Sequence, residues 1–366
     1  MTIPLHTVEL TVGGNEASDL LPVRSPELLA ALRARRAFWT VLDEGPVERC
    51  LALLVERDGV ERGHWAAQHL IVDAGREQGR TEDGEALAYH AGWVYVVGSH
   101  FGSKAGPLRP RRAFVARFRE ADAAGGVVRL QVVRNQFRLH RAVNDALAAA
   151  DITPLPPGDQ VRARFIVETL SRGTARSKSW VGRLTEEDLP LNVEAAAFTP
   201  TGTLLIGLRF PVTDQGEPIL VELAGVAGMF DDDPRTWPRV DRAYVLTGGT
   251  PVGELTGVRA LSADGDGSYA AVIGSIDALG KGSVLLDEHP AGGDVTCRHV
   301  RFRLPGLRPE GIGRSSVAEP AGPALPVELV ADLAPLHNVE GLAEVDGERF
   351  YVTDEDHRVA LWIVGG

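Results

Sequence analysis

The sequence predicts an all-β protein, a β-propeller carrying short helical insertions, and three observations carry that expectation. The first is size: 366 residues exceed the roughly 250–300 at which one core stops growing, so the chain is two domains or a body that grows by repetition. The second is punctuation, because 41 Gly and 23 Pro leave little room for long helices. The third is self-similarity. Residues 83–99 (DGEALAYHAGWVYVVGS), 192–207 (NVEAAAFTPTGTLLIG), 257–275 (GVRALSADGDGSYAAVIGS) and 338–354 (NVEGLAEVDGERFYVTD) follow one plan. Each has a polar opening, an alternating apolar strand, a turn, and a β-rich strand with a terminal Gly or Asp.

A degenerate copy opens the chain, with NEASDLLPV at 15–23 and FWTVLDEG at 38–45. Between them SPELLAALRARR reads as a helix, Ser25 capping its N-terminus and Pro26 in its first position. HRAVNDALAAAD at 140–151 has helical spacing through Val143 and Leu147 and belongs to a second insertion. Counting from Glu16, the equivalent positions Glu85, Glu194, Arg259 and Glu340 follow at intervals of 69, 109, 65 and 81 residues. These exceed a compact blade, so insertions are expected near 24–37 and 100–190, unless a further blade lies inside 100–190. The expectation is one propeller over 1–366 with five to seven blades, six favoured; RPEGIG at 308–313 repeats only the opening. A two-domain β-sandwich is the alternative.

Composition excludes several classes. No apolar run approaches the ~18 residues of a membrane helix, and the start lacks a basic and apolar leader, so a cytoplasmic protein without membrane contact is expected. Cys50 and Cys297 are too few for a disulfide framework. The net charge of −12 argues against general nucleic-acid binding. That charge is uneven: residues 101–142 are +8, which leaves −20 for the rest. A basic face of this kind steers anions.

The residues D-x-E-A-L-A with Y-V-V-G-S-H (Asp83, Glu85, Ala88, Tyr95, Gly98, Ser99, His100), followed by a Lys/Arg-rich stretch, resemble a bacterial propeller family, domain of unknown function 3616. NVEAAAFTPTGTLLIGLRFP at 192–211 looks like that family's next repeat, and the likeness runs from about residue 10 to the C-terminus. N-x-E-G-L-A at 338–343 and P-E-G-I at 309–312 are more distantly similar to calcium-dependent phytase-like propellers and their esterase-like relatives. The resemblance implies a fold and no established activity. Most phytase-like proteins are exported, whereas no signal is seen here, and Arg259 breaks the acidic series.

In a propeller the first strand of each blade lines the channel, so Glu16, Glu85, Glu194 and Glu340 would converge on one mouth, with Glu310 less securely placed. Like charges ~4–6 Å apart resist joint ionisation, and Ca²⁺ or another divalent cation, taking roughly 6–8 oxygen ligands, would relieve them. Asp43, Asp354 and Asp356 could add carboxylates. The competing reading pairs the same glutamates with Arg259 and Arg209, or with backbone N–H groups. The loop GSHFGSKAGPLRPRR at 98–112 offers His100, Lys104, Arg109, Arg111 and Arg112 to an anion. The arginines of FVARFRE (114–120) and VRLQVVRNQFRLHR (128–141) read more simply as the solvated face of outer strands.

Two functions follow. One is a divalent-metal-dependent hydrolase of a phosphorylated or otherwise anionic small molecule. Glu16, Glu85, Glu194 and Glu340 would hold the metal, His100 and Asp354 would be catalytic, and Lys104, Arg109 and Arg209 would bind the anion. The other is a non-catalytic platform for a protein partner, or a regulatory subunit, which needs an exposed apolar patch of several hundred Å².

Overall fold

In the computed structural model, residues 5–10, 17–42, 45–60, 62–231, 237–265, 267–279, 282–305, 323–355 and 358–365 are described. Five sheets, called blades I to V, hold most of the strands and are antiparallel except where Ala324–Pro326 joins the edge of blade III in parallel. Their innermost strands are Ala17–Pro22, Gly84–His90, Asn192–Phe198, Thr256–Ala263 and Val339–Val345. Each touches the next, and the fifth touches the first, so the ring closes. The expected all-β propeller is therefore the observed fold, and every repeat read in the sequence is the inner hairpin of one blade.

The described residues form five blades, within the expected range of five to seven. The long interval after blade II holds no further blade. It is filled by the outer strands Phe114–Arg119 and Gln131–Arg134 of blade II and by helices. Pro309–Ile312, which suggested another repeat, lies outside the described residues. Blade V is closed by the N-terminal strand Leu5–Leu10, which pairs with Arg358–Gly365 from Leu5 opposite Val364 to Leu10 opposite Val359. This joins the two ends of the chain through one sheet, so separating them would break a full ladder of backbone bonds.

Both expected helices form. Pro26–Leu32 is capped by Ser25, whose hydroxyl accepts from the Leu28 N–H at 3.2 Å. Arg138–Ala149 buries Leu139, Val143 and Leu147, one apolar stripe at helical spacing. Between the blades the walls are apolar, as two-sided burial requires. Phe38, Trp39, Phe118 and Phe350 fill one such wall and Tyr269, Phe302 and Leu246 another. A separate cluster of Phe101, Phe137, Phe165, Trp180 and Phe210 lies under the helical insertion. Cys50 and Cys297 are both buried. No helix among the described residues is long and apolar enough to cross a membrane.

Candidate functional site

The inner strands share a local irregularity that builds the site. In blades II to V the register slips at one residue: between Gly84 and Ala86, Val193 and Ala195, Val258 and Ala260, and Val339 and Gly341. The residues left without a ladder partner are Glu85, Glu194, Arg259 and Glu340. A bulge re-aims a side chain out of the sheet's alternation, which is why residues at one repeat position meet at the channel. Blade I slips between Ser18 and Leu21, freeing Asp19 and Leu20. Blade III has a second slip that skips Arg209 on the neighbouring strand, so Arg209 and Glu194 leave the ladder side by side.

At this end of the channel a cavity of about 300 Å³ opens. Glu85, Glu194, Glu340, Asp83 and Asp277 line it together with Lys104, Arg109, Arg112 and Arg209. The structure thus brings together Glu85, Glu194, Glu340, Lys104, Arg109 and Arg209 of the sequence-predicted residues. Glu16 lies outside the described residues, as do Asp43, Glu310 and Asp356. Asp354 is placed only by its backbone, opposite Val359.

The charges in the mouth are paired. Glu194 Oε1 accepts from Arg209 Nη1 and from Asn192 Nδ2, both at 2.9 Å. Arg259 donates from Nη2 to Glu340 Oε1, and its Nε lies 3.3 Å from the Val339 carbonyl. Arg209 Nε donates to the Ser275 carbonyl at 3.1 Å. Burial works to raise the Glu194 carboxyl, but the Arg209 and Arg259 guanidiniums outweigh it and hold it below the usual carboxylate range. Near the rim, Lys104 Nζ lies 3.2 Å from Asp277 Oδ1. Arg109 and Arg112 both bond Glu82.

Asp83 behaves differently. Its Oδ2 accepts from Ser99 Oγ at 2.5 Å and from Arg112 Nη1 at 2.6 Å. Burial raises this carboxyl; Arg112 and the Ser99 hydroxyl oppose the rise, and the charges of Glu194 and Glu82 add to it. The mouth therefore contains one carboxyl drawn toward the protonated form and another held ionised. Sequence reading missed Asp83 and Asp277, although Asp83 stands two residues before Glu85 in the same repeat.

His100 does not face the mouth. It is buried, with Nδ1 2.7 Å from the Gly98 carbonyl and Nε2 2.7 Å from Asn135 Nδ2. A carbonyl can only accept, so Nδ1 carries the proton and Nε2 accepts from the amide. Burial pulls its pKa down to about 4, against the Gly98 bond. The positive φ of 60° at His100 turns its side chain inward instead of along the loop.

The Ca²⁺ expectation is tested by the donor chemistry. Of the described ring carboxylates, Glu194 and Glu340 already have guanidinium partners and the fourth position is Arg259, a cation. Among the described residues no group of three or more His, Cys, Asp and Glu could hold a metal ion. This donor set does not fit Ca²⁺; the glutamate–arginine network, the competing reading, is what the geometry contains.

No protein-family model matches the chain, and no curated protein does either. Among solved structures the chain is similar to an α-L-arabinofuranosidase of Clostridium thermocellum, at 10% identity and a TM-score of 0.41 over 94% of this chain and 84% of that one. It is also similar to a mannose phosphorylase of Leishmania mexicana, at 10% identity and a TM-score of 0.41 over 100% and 89%. A luciferin-regenerating enzyme gives 11% identity and a TM-score of 0.36 over 96% and 78%. Likeness at this distance carries no functional argument, and the propeller rests on the closed ring of blades itself.

Proposed function

We propose that the channel mouth binds a small, polar, anion-bearing molecule and hydrolyses it by general acid–base catalysis: one carboxylate takes a proton from the attacking water as its oxygen bonds to the substrate, and one carboxylic acid gives a proton to the leaving group as its bond breaks. The observation that carries the reading is Arg209 Nη2. It is a buried donor without a hydrogen-bond partner among the described residues, on a side chain that lines the 300 Å³ cavity. An orphaned buried donor costs about 1–3 kcal/mol, more when charged, and a ligand acceptor atom would remove that cost. Asn192 Oδ1, also buried and without a partner, offers a matching acceptor on the same wall. Lys104 and Arg109 are partly exposed and stand where an incoming anion would first meet charge.

The hydrolytic part rests on Asp83 and Glu194. Carboxyls pushed in opposite directions by their surroundings supply an acid and a base at one pH. No step is routed through a metal. The alternative, a protein-interaction platform, draws less support: among the described residues the exposed large apolar side chains are Val60, Ile71, Val127, Val167, Val252, Leu279 and Leu329, of which only Ile71 and Val127 are neighbours in a sheet. The resemblance to domain of unknown function 3616 adds a fold and no activity.

Thermal melts with glucuronate and with inorganic phosphate test the binding. The melting temperature should rise with the logarithm of anion concentration, and Lys104→Ala should reduce that rise while leaving the unliganded protein folded. EDTA should leave the melting temperature unchanged. A wild-type protein indifferent to both anions overturns the reading.

A further inference from the structure

Outside the mouth lies a second and larger cavity, about 490 Å³, between the loop 106–110 and the helix Glu168–Ala175. We propose that this groove binds a small organic phosphate carrying two or more negative charges. The inference stands apart from the reading of the mouth, although Arg109 lines both cavities.

The charge of the wall is one-sided. Arg109, Arg134, Arg172, Arg176 and Lys178 line the groove, and no carboxylate among the described residues does. Three of these cations are already held from outside the wall: Arg109 by Glu82, Arg134 by Glu77 at 2.7 Å and Arg172 by Glu168 at 2.5 Å. Arg176 and Lys178 have no ion-pair partner among the described residues, and both are exposed. A pocket lined by one sign of charge concentrates counter-ions, and guanidinium forks match phosphate oxygens in pairs.

The groove is also built. Leu108 N–H donates to Thr169 Oγ1 at 2.9 Å, and that hydroxyl donates to the Phe165 carbonyl at 2.5 Å, so the loop is fastened to the helix through a buried side chain. The end of the helix would ordinarily repel an anion. Here the N–H groups of Arg176 and Lys178 bond the Gly173 carbonyl, and Ser177 N–H bonds that of Thr174. Gly173 is required: a Cβ there would meet Trp180 Cη2 at 2.5 Å. With Leu108 and Pro110, Trp180 gives the wall an apolar part, which suits an organic body behind the charged group. The volume lies within the ~300–1,000 Å³ of small-molecule pockets.

Titration calorimetry with ADP and with inorganic pyrophosphate, at low and at physiological salt, tests the proposal. ADP should bind more tightly than pyrophosphate, and higher salt should weaken both. The double variant Arg176→Glu/Lys178→Glu should lose at least tenfold in affinity, and Lys104→Ala should lose none. Absence of binding at millimolar ligand, or binding that survives the double charge reversal, overturns the proposal. So does equal affinity for the two ligands, which would leave the apolar wall without a role. Loss through Lys104→Ala alone would place the phosphate in the mouth, overturning this inference while supporting the reading of that site.

Discussion

The channel mouth and the groove beside the helical insertion are both rich in charge, and they use it in opposite ways. In the mouth, acids and bases alternate and the charges are paired, Arg209 with Glu194 within blade III, Arg259 of blade IV with Glu340 of blade V, and Lys104 with Asp277. In the groove the cations come from one stretch of chain, 109–178, and two of them have no ion-pair partner among the described residues. Buried charges must be paired to be tolerated, whereas exposed ones need not be. The mouth is thus part of what holds the five blades together, and any ligand there works with what pairing leaves over. The groove could lose its charge without the fold noticing.

Acid should separate the two regions most strongly. His100, His140 and His299 are buried, and burial pulls their pKa values down to about 4, 4 and 3. Between about pH 6.5 and 4 the unfolded chain binds protons at these positions and the native one does not, so stability falls as pH falls, by up to about 1.4 kcal/mol per unit for each group. Asp19 opposes one of the three. Burial raises its pKa to about 7, so across the same window the native state holds a proton that the unfolded chain has released. The net expectation is a loss of several kcal/mol on going from pH 6.5 to 4, measured by urea unfolding across that range. A flat profile would mean that these histidines are accessible to solvent. Among the described residues no histidine lines the groove, so this loss belongs to the blades and not to the groove.

The next largest effect should come from Arg259→Ala. This side chain is 1% exposed and links blade IV to Glu340 and the Val339 carbonyl of blade V. Removing it takes the guanidinium from a buried carboxylate, a change that typically costs about 3–5 kcal/mol. Denaturant titration of the variant should show a lower midpoint. If Arg259→Met were as stable as wild type while Arg259→Ala were not, the pair would be contributing packing more than charge.

How much of this was legible depended on whether a feature repeats. The blades could be read because each inner strand carries the same alternation and turn, and the ring position could be read because Glu85, Glu194, Arg259 and Glu340 recur at one place in the pattern. Even the break at Arg259 was visible, and it is the residue that turns an acidic ring into a paired network. What could not be read was direction. The motif placed His100 on a channel-side loop, but a positive φ and the amide of Asn135, from a distant turn, decided where its ring went. Nor could spacing show that the slip at Arg209 sets it beside Glu194, because a bulge is a property of two strands and the repeat was read from one. Length alone was no guide either: the 109-residue interval between Glu85 and Glu194 is long enough for an extra blade and holds the outer strands of blade II and helices.

The smallest expected effect belongs to the groove. Arg176 and Lys178 came from SRGTARSK at 171–178, a short basic run outside the window that drew attention in the sequence. Both side chains are exposed and neither has an ion-pair partner among the described residues, so Arg176→Ala and Lys178→Ala should each change stability by no more than about 0.5 kcal/mol. Replacing them should raise stability slightly at low salt, because like charges crowded on one wall repel, and the gain should vanish near 1 M salt, where the screening length is only about 3 Å. Thermal melts of the two variants at low and high salt measure this directly. A marked loss of stability would contradict the contrast drawn here, because it would make these cations structural, as those of the mouth are.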